Sequence, residues 1–230
     1  MNVDLEPFFE RYVQLVRVAD ATFDRIKQSH PEGVKCTQGC SDCCHAVFDV
    51  ALIEALYIND RFERAFEADT RERFLEKANR ADRQAFAMKR QVSRAVQAGR
   101  DARHVMEVVA AQRLRCPFLN ETDGCDIYDF RPITCRLYGV PTAIQGEGHT
   151  CGRSGFTRGS KYPTVNLDRI NDQLYSISRD LVVALESRFA GLANLFIPVS
   201  MAILTDFDET YLGVDTAPRE TTVAGNPGKA

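Results

Sequence analysis

No stretch of this 230-residue chain comes near the ~20 consecutive apolar residues that a membrane-spanning helix needs. The longest apolar run, ANLFIPVSMAIL, is short and contains Pro198, so no membrane partner is expected. The opening residues, MNVDLEPFFERYVQLVRVAD, lack the basic start and unbroken apolar run of a secretory signal; the expected location is the cytoplasm. Excess charge of one sign is missing too. The formal net charge is −3, which gives no electrostatic reason to expect nucleic acid. There is no internal repeat and no alternating series of strands. No Ser/His/Asp arrangement or paired carboxylates can be picked out, so no catalytic residue is assigned.

What the chain does have is helical periodicity. Leu5, Phe8, Phe9, Tyr12, Val16, Phe23 and Ile26 recur at three- and four-residue intervals, predicting an amphipathic helix from about Asp4 to Gln28. His30-Pro31-Glu32-Gly33 stops it. A second helix is predicted around Leu52, Leu56, Phe62 and Phe66. A third begins at Asp69 as N-cap, with Glu72 three residues on, and runs to Gly99. A fourth covers Asp101 to about Leu114. Asn166 caps a further helix striped by Leu167, Ile170, Leu174, Ile177, Leu181, Leu185 and Phe189, and a short one follows near Pro198 to Leu204. Between Cys116 and Gly159 the pattern gives way to Gly, Pro, Asp and Thr, with at most a small β-hairpin turning at Asp123-Gly124. The expected fold is mainly α: a single helical domain over 1–214 with a cysteine-rich, loop-dominated metal-binding region (segments 35–48 and 113–159). The tail, 215–230, is expected to be disordered.

The sequence is also rich in cysteine, with eight. In a reducing cytoplasm a core-forming chain of this length has little use for disulfides, and metal ligation is favoured. One group is compact: Cys36, Cys40, Cys43 and Cys44 lie within KCTQGCSDCCHAVF. On a helix the first three would share one face. Cys44 would point away from Cys43, to serve a second site or remain a buried thiol. The other group, Cys116, Cys125, Cys135 and Cys151, is separated by eight, nine and fifteen residues, a spacing that requires loops converging on one centre. Four and four fit two four-ligand sites; one site drawing on both groups fits equally. Zinc and a [4Fe–4S] cluster both accept four thiolates. From Ala111 to Lys161, seven cations (Arg113, Arg115, Arg131, Arg136, Arg153, Arg158 and Lys161) face five acids, a local excess suited to thiolate charge. His45 and His149 adjoin cysteines and read as outer residues of a site; His30 and His104 read as structural.

The C-x3-C-x2-C spacing of Cys36, Cys40 and Cys43 is shared with radical-SAM enzymes. Their usual aromatic before the third cysteine is here Asp42, and their βα series is missing. A longer pattern fits better. CTQGCSDCCHAVF, RCPFLNETDGCDIYDFRPITCRLYGVP and Cys151 together resemble the YkgJ-type cysteine-cluster proteins, described as a zinc- or iron-chelating domain. Their pattern C-P-x-L, G-C-x-I-Y, R-P-x-x-C-R falls on Cys116 to Leu119, Gly124 to Tyr128 and Arg131 to Arg136.

The resemblance implies metal ligation by all eight cysteines. It also implies that Pro117 and Pro132 fix the loops, that Tyr128 packs beside the site, and that Arg131 and Arg136 screen thiolate charge or meet an anionic ligand. Related domains are labelled Fe–S oxidoreductases, and the flagellin lysine methylases combine a similar cluster with S-adenosylmethionine. The glycine-rich GEGHTCGRSG follows no predicted strand, as a cofactor loop would. The expected function is therefore that of a metal-binding protein, carrying an iron–sulfur cluster or zinc, in redox or cluster-assisted chemistry on a protein or small-molecule substrate. The alternatives are a cluster-dependent methyltransferase acting on protein lysine and a structural zinc module.

Overall fold

The first apolar stripe supplies one wall of the core. In the computed structural model, which describes residues 3–101, 113–157 and 159–214, helix α1 (Glu6–Ser29) buries Phe9, Tyr12, Leu15, Val16, Ala19 and Ile26. Asp4 accepts the Glu6 amide at its start. Helix α2 (Leu52–Ala65) is buried over most of its circumference, including Leu52, Ile53, Ala55, Ile58 and Phe62, so it forms the centre of the domain. It is entered from strand β1 (Asp49–Ala51), where the sequence reading had continuous helix.

Helix α3 (Ala68–Gln97) starts with Glu67 as N-cap, with no side-chain cap, in place of the expected Asp69 box. Only Phe74, Ala78 and Met88 are buried along its 30 residues; Phe86 and Val96 face solvent. The expected helix from Asp101 to Leu114, His104, Arg158 and the 215–230 tail lie outside the described residues, apart from the ends of that helix.

Among the described residues, two short helices and one long one follow: α4 (Ile133–Leu137), α5 (Leu167–Ala184) and α6 (Met201–Leu204). Asn166 does cap α5, accepting the Arg169 amide at 3.1 Å. The helix stops before Phe189, because Glu186 adopts φ 50°. Ser178 of α5 accepts the Ile53 amide at 3.2 Å, tying α5 to the first turn of α2. The strands are small. β1 pairs antiparallel with β5 (Phe196–Pro198), Val50 opposite Ile197. A three-stranded sheet has the order β3-β2-β4, with β2 (Thr142–Ile144) antiparallel to β3 (Glu147–His149) and parallel to β4 (Val165–Asn166). The fold is thus mainly helical, with the cysteine segments gathered at one end of α1 and α2.

Candidate metal centre

The two cysteine groups meet through the backbone. Leu114 donates its amide to the His45 carbonyl at 3.2 Å, and Cys116 donates to the Cys44 carbonyl at 2.8 Å. These two bonds lay the start of the second group along the end of the first. Cys36 and Cys40 lie in irregular chain and only Asp42–His45 form a 3₁₀ turn, so the expected shared helical face is replaced by a tight loop.

The loop from Cys116 to Cys125 is organised by a residue the sequence reading passed over. Asn120 accepts from the Thr122 and Gly124 amides and donates to Asp126 at 2.8 Å. Asp123 takes the left-handed conformation, φ 59°, and the anticipated hairpin reduces to a single bridge, Leu119 opposite Cys125. The effect is the one that matters: Cys116 and Cys125 face the same space.

Cys135 is delivered by the first turn of α4. That turn is anchored from outside by Glu54 of α2, whose buried carboxylate accepts the Ile133 amide at 3.0 Å, the Ala51 amide at 3.2 Å and the Tyr12 hydroxyl at 3.3 Å. Arg136, 7% exposed, commits its guanidinium to protein acceptors: Asp20 at 2.7 Å, the Asp129 carbonyl at 2.6 Å and the Arg131 carbonyl at 3.0 Å. Arg131 stays near the sulfurs. It donates to the Tyr128 carbonyl, stacks 3.6 Å from the centre of the Tyr128 ring, and its charge favours the thiolates of Cys43, Cys125 and Cys135.

Five thiols line one pocket: Cys43, Cys44, Cys116, Cys125 and Cys135. Its space is about 70 Å³, and its other walls come from Ala81 and Ala85 of α3, Phe118, Ile127, Pro132 and Pro198 among others. The thiols are close enough to set one another's protonation. The Cys44 thiol is pushed up, first by its hydrogen bond to Cys125 and then by that to Cys43. Its donation pulls Cys43 down to about 7 and Cys125 below the usual thiol value. Burial lifts Cys116 to about 12, against hydrogen bonds from the Phe118 and Leu119 backbone. Cys135 is raised by burial and then by the charges of Cys116, Cys43 and Cys125. Several thiols whose ionisation is opposed by the others are a donor set short of positive charge, and a bound cation is what removes that opposition.

The remaining cysteines, Cys36, Cys40 and Cys151, do not line this pocket. Cys151 donates to Asp42 at 3.2 Å. Burial lifts Cys36 to about 11, with the charges of Cys40, Cys151 and Cys43 adding to it. Five of the eight cysteines thus share the pocket, and the other three lie beside it, with Cys36 still within electrostatic reach of Cys43. None is disulfide-bonded.

His45 contacts the Ser41 carbonyl at 3.0 Å through Nδ1, while His149 is on the exposed strand β3. His30 ends α1 and meets Tyr162 edge-on. The GEG stretch belongs to the β2–β3 hairpin, with Gln145 and Gly146 at positive φ, and no helix follows it to receive a phosphate. Asp42, Glu54 and Asn120 were the residues missed. Asp42 carried a visible signal, an acid set inside the CSDCC run; Glu54 and Asn120 act through tertiary contacts and carried none.

Among the described residues, no three Cys, His, Asp or Glu side chains are already closed around a point at metal-ligand spacing. The chemistry of the donor set nonetheless fits a thiophilic metal: sulfur ligands, backbone amides directed at Cys116, Cys125 and Cys151, and an arginine to offset charge. No curated protein and no solved structure matches the chain. A family model described as "CxxCxxCC: Putative zinc- or iron-chelating domain" matches residues 35–152, a span that takes in all eight cysteines and just over half of the sequence. The chain belongs to this CxxCxxCC family of metal-chelating domains.

Proposed function

We propose that the five-cysteine pocket holds an iron–sulfur cluster of the [4Fe–4S] type, through four of its five thiols, and that the protein uses it in electron transfer or cluster-assisted chemistry on a substrate. The observation that supports this most is the pocket itself. A four-coordinate zinc site closes tightly on one ion. Here five thiols, together with apolar side chains, line about 70 Å³ of space, several times the roughly 10–15 Å³ that one water requires on that measure.

When bound, the cluster would supply a one-electron centre. The chain's own residues have separate tasks. The amides of Phe118, Leu119 and Ile127 donate to sulfur, and Arg131 offsets the negative charge of the ligands. The apolar walls limit water, which raises the weight of each of these interactions. The same opening would admit a small apolar group of a substrate, bounded by Ala81 and Ala85 on one side and by Pro198 and Val199 on another. Eight free thiols suit a reducing compartment such as the cytoplasm.

The test is iron and sulfide analysis with optical and paramagnetic-resonance spectra on protein purified anaerobically without added metal. A brown protein with near-equal iron and sulfide is expected, and a Cys125→Ser or Cys135→Ser change should remove or alter the signal. Colourless protein carrying stoichiometric zinc would refute the cluster reading and favour a structural zinc module.

A further inference from the structure

We propose that Cys36, Cys40, Cys151 and Asp42 form a second metal-binding centre, separate from the five-thiol pocket, that takes a thiophilic divalent cation such as zinc through three sulfurs and one carboxylate oxygen. The inference shares the thiolate–metal reading above but does not depend on which metal fills the larger pocket.

The argument starts with how Cys151 is held. The Gly155 amide donates to the Gly33 carbonyl at 2.8 Å, and the Phe156 ring lies against Gly33 where a side chain would otherwise stand. These contacts clamp the loop that carries Cys151 onto the chain that leads into Cys36. On the other side, Gly139 leaves just enough room for the Cys36 sulfur, since a Cβ there would collide with it. The neighbouring Tyr138 hydrogen-bonds Asp42 through its hydroxyl, and Asp42 Oδ2 accepts from the Cys151 thiol at 3.2 Å. The contacts thus run Cys36, Gly139–Tyr138, Asp42, Cys151. Cys40 is turned back towards Cys36 by a tight turn in which its amide donates to the Thr37 carbonyl at 3.0 Å, and it acts electrostatically on both Cys36 and Cys151. None of these three thiols reaches the pocket of the other five.

Asp42 is arranged as a ligand would be. It is buried, with one oxygen turned to Cys151 and the other taking Arg113 at 2.7 Å and Arg153 at 3.6 Å. An outer cation on the second oxygen orients a carboxylate and leaves the first free to coordinate. Three thiolates and a carboxylate around a divalent ion leave a surplus of negative charge, and Arg113, Arg153 and Lys27 are the cations that face it. The Arg153 amide, 3.4 Å from the Cys151 sulfur, adds a further donor. Three sulfurs and one carboxylate oxygen match in number and type the four ligands that zinc takes.

Cobalt(II) titration of the metal-free full chain, followed by sulfur-to-cobalt charge-transfer absorption, reads the two centres separately. Wild type should take up two equivalents. Cys36→Ser, Cys40→Ser and Cys151→Ser should each remove the same single equivalent, while the double change Cys125→Ser/Cys135→Ser, which leaves three of the five pocket thiols, removes the other. Asp42→Asn should shift the ligand-field bands of the smaller site and weaken it at least about tenfold. Helix content by circular dichroism accompanies each variant; if Cys151→Ser loses its fold, Cys40→Ser, in the loop, carries the test. Unchanged cobalt uptake in the Cys36, Cys40 and Cys151 variants overturns the proposal. So does the loss of both equivalents from any one of them with the fold intact, which would mean one shared centre. Should the Cys125→Ser/Cys135→Ser double variant alone leave uptake unchanged, the five-thiol reading fails and this one stands.

Discussion

Glu54 offers the sharpest test of how the site is held, because it touches no sulfur and yet fixes the turn that presents Cys135. It is 3% exposed and accepts from the Ile133 amide, the Ala51 amide and the Tyr12 hydroxyl. Removing the carboxylate as Glu54→Ala leaves three buried donors without a partner. Each orphaned group costs about 1–3 kcal/mol. The Tyr12 contact is the longest of the three, so a total loss of about 3–5 kcal/mol is expected, of the size seen when one member of a buried polar set is removed.

Glu54→Gln adds a dependence on pH. Burial raises the Glu54 pKa, outweighing the two amide hydrogen bonds that lower it. With the folded value above the unfolded one, its stabilising contribution is present in full below the unfolded carboxyl value of about 4.3 and is lost as pH rises through the folded value. The gap between wild type and Glu54→Gln should therefore be widest in acid and narrow towards neutral pH. Urea unfolding of the metal-free protein from pH 4 to pH 8 measures it, and the rate of Cys135 modification by a thiol reagent reports whether α4 has loosened. A Glu54→Ala loss below about 1 kcal/mol, or a Glu54→Gln gap that does not vary with pH, would refute the reasoning.

Arg136→Lys should be nearly as damaging as Arg136→Ala, because one ammonium cannot replace donation to Asp20, the Asp129 carbonyl and the Arg131 carbonyl together. A Lys variant that melts within about 2–4 °C of wild type, the shift that 1 kcal/mol gives in a domain of this size, would count against that. Gly139→Ala should lower stability by about 1–3 kcal/mol by pushing its new methyl into Cys36 and close to Phe23, and Cys36 should become more accessible to alkylation; an unchanged denaturation midpoint would contradict the packing described. Asn166→Ala should cost about 1 kcal/mol by freeing the Arg169 amide, with no effect on metal content, which makes it the control for the others.

Much of the helical frame was legible because a 3.6-residue stripe is written locally. Leu174, Ile177 and Leu181 announce α5, and Asn166 announces its start, without reference to any other part of the chain. The order of the cysteine motifs was legible for the same reason. What could not be read was decided by contacts between distant residues. Cys43 and Cys44 were expected to diverge, but the 3₁₀ turn at Asp42–His45 and the bond from the Cys116 amide to the Cys44 carbonyl bring both to one pocket. Arg136 resembles Arg131 in sequence, and only the position of Asp20 on α1 shows how differently it is used. Strand β1 was absorbed into the helical reading because VALIEAL is apolar except for Glu54. Its strand character comes from pairing with β5, almost 150 residues later.

The bond from Cys116 back to Cys44 also has a meaning for the order in which the molecule is made. Synthesis delivers the first four sulfurs well before their counterparts, with all of α2 and α3 emerging in between. Until the ribosome has released Cys135, the larger pocket lacks its last thiol; until Cys151 follows, the early loop has no clamp; and the wall at Pro198 and Val199 arrives later still. On the proposed reading, a ligand set complete enough to load exists only once the later segments have docked, and a chain arrested midway would carry thiols with nothing to occupy them.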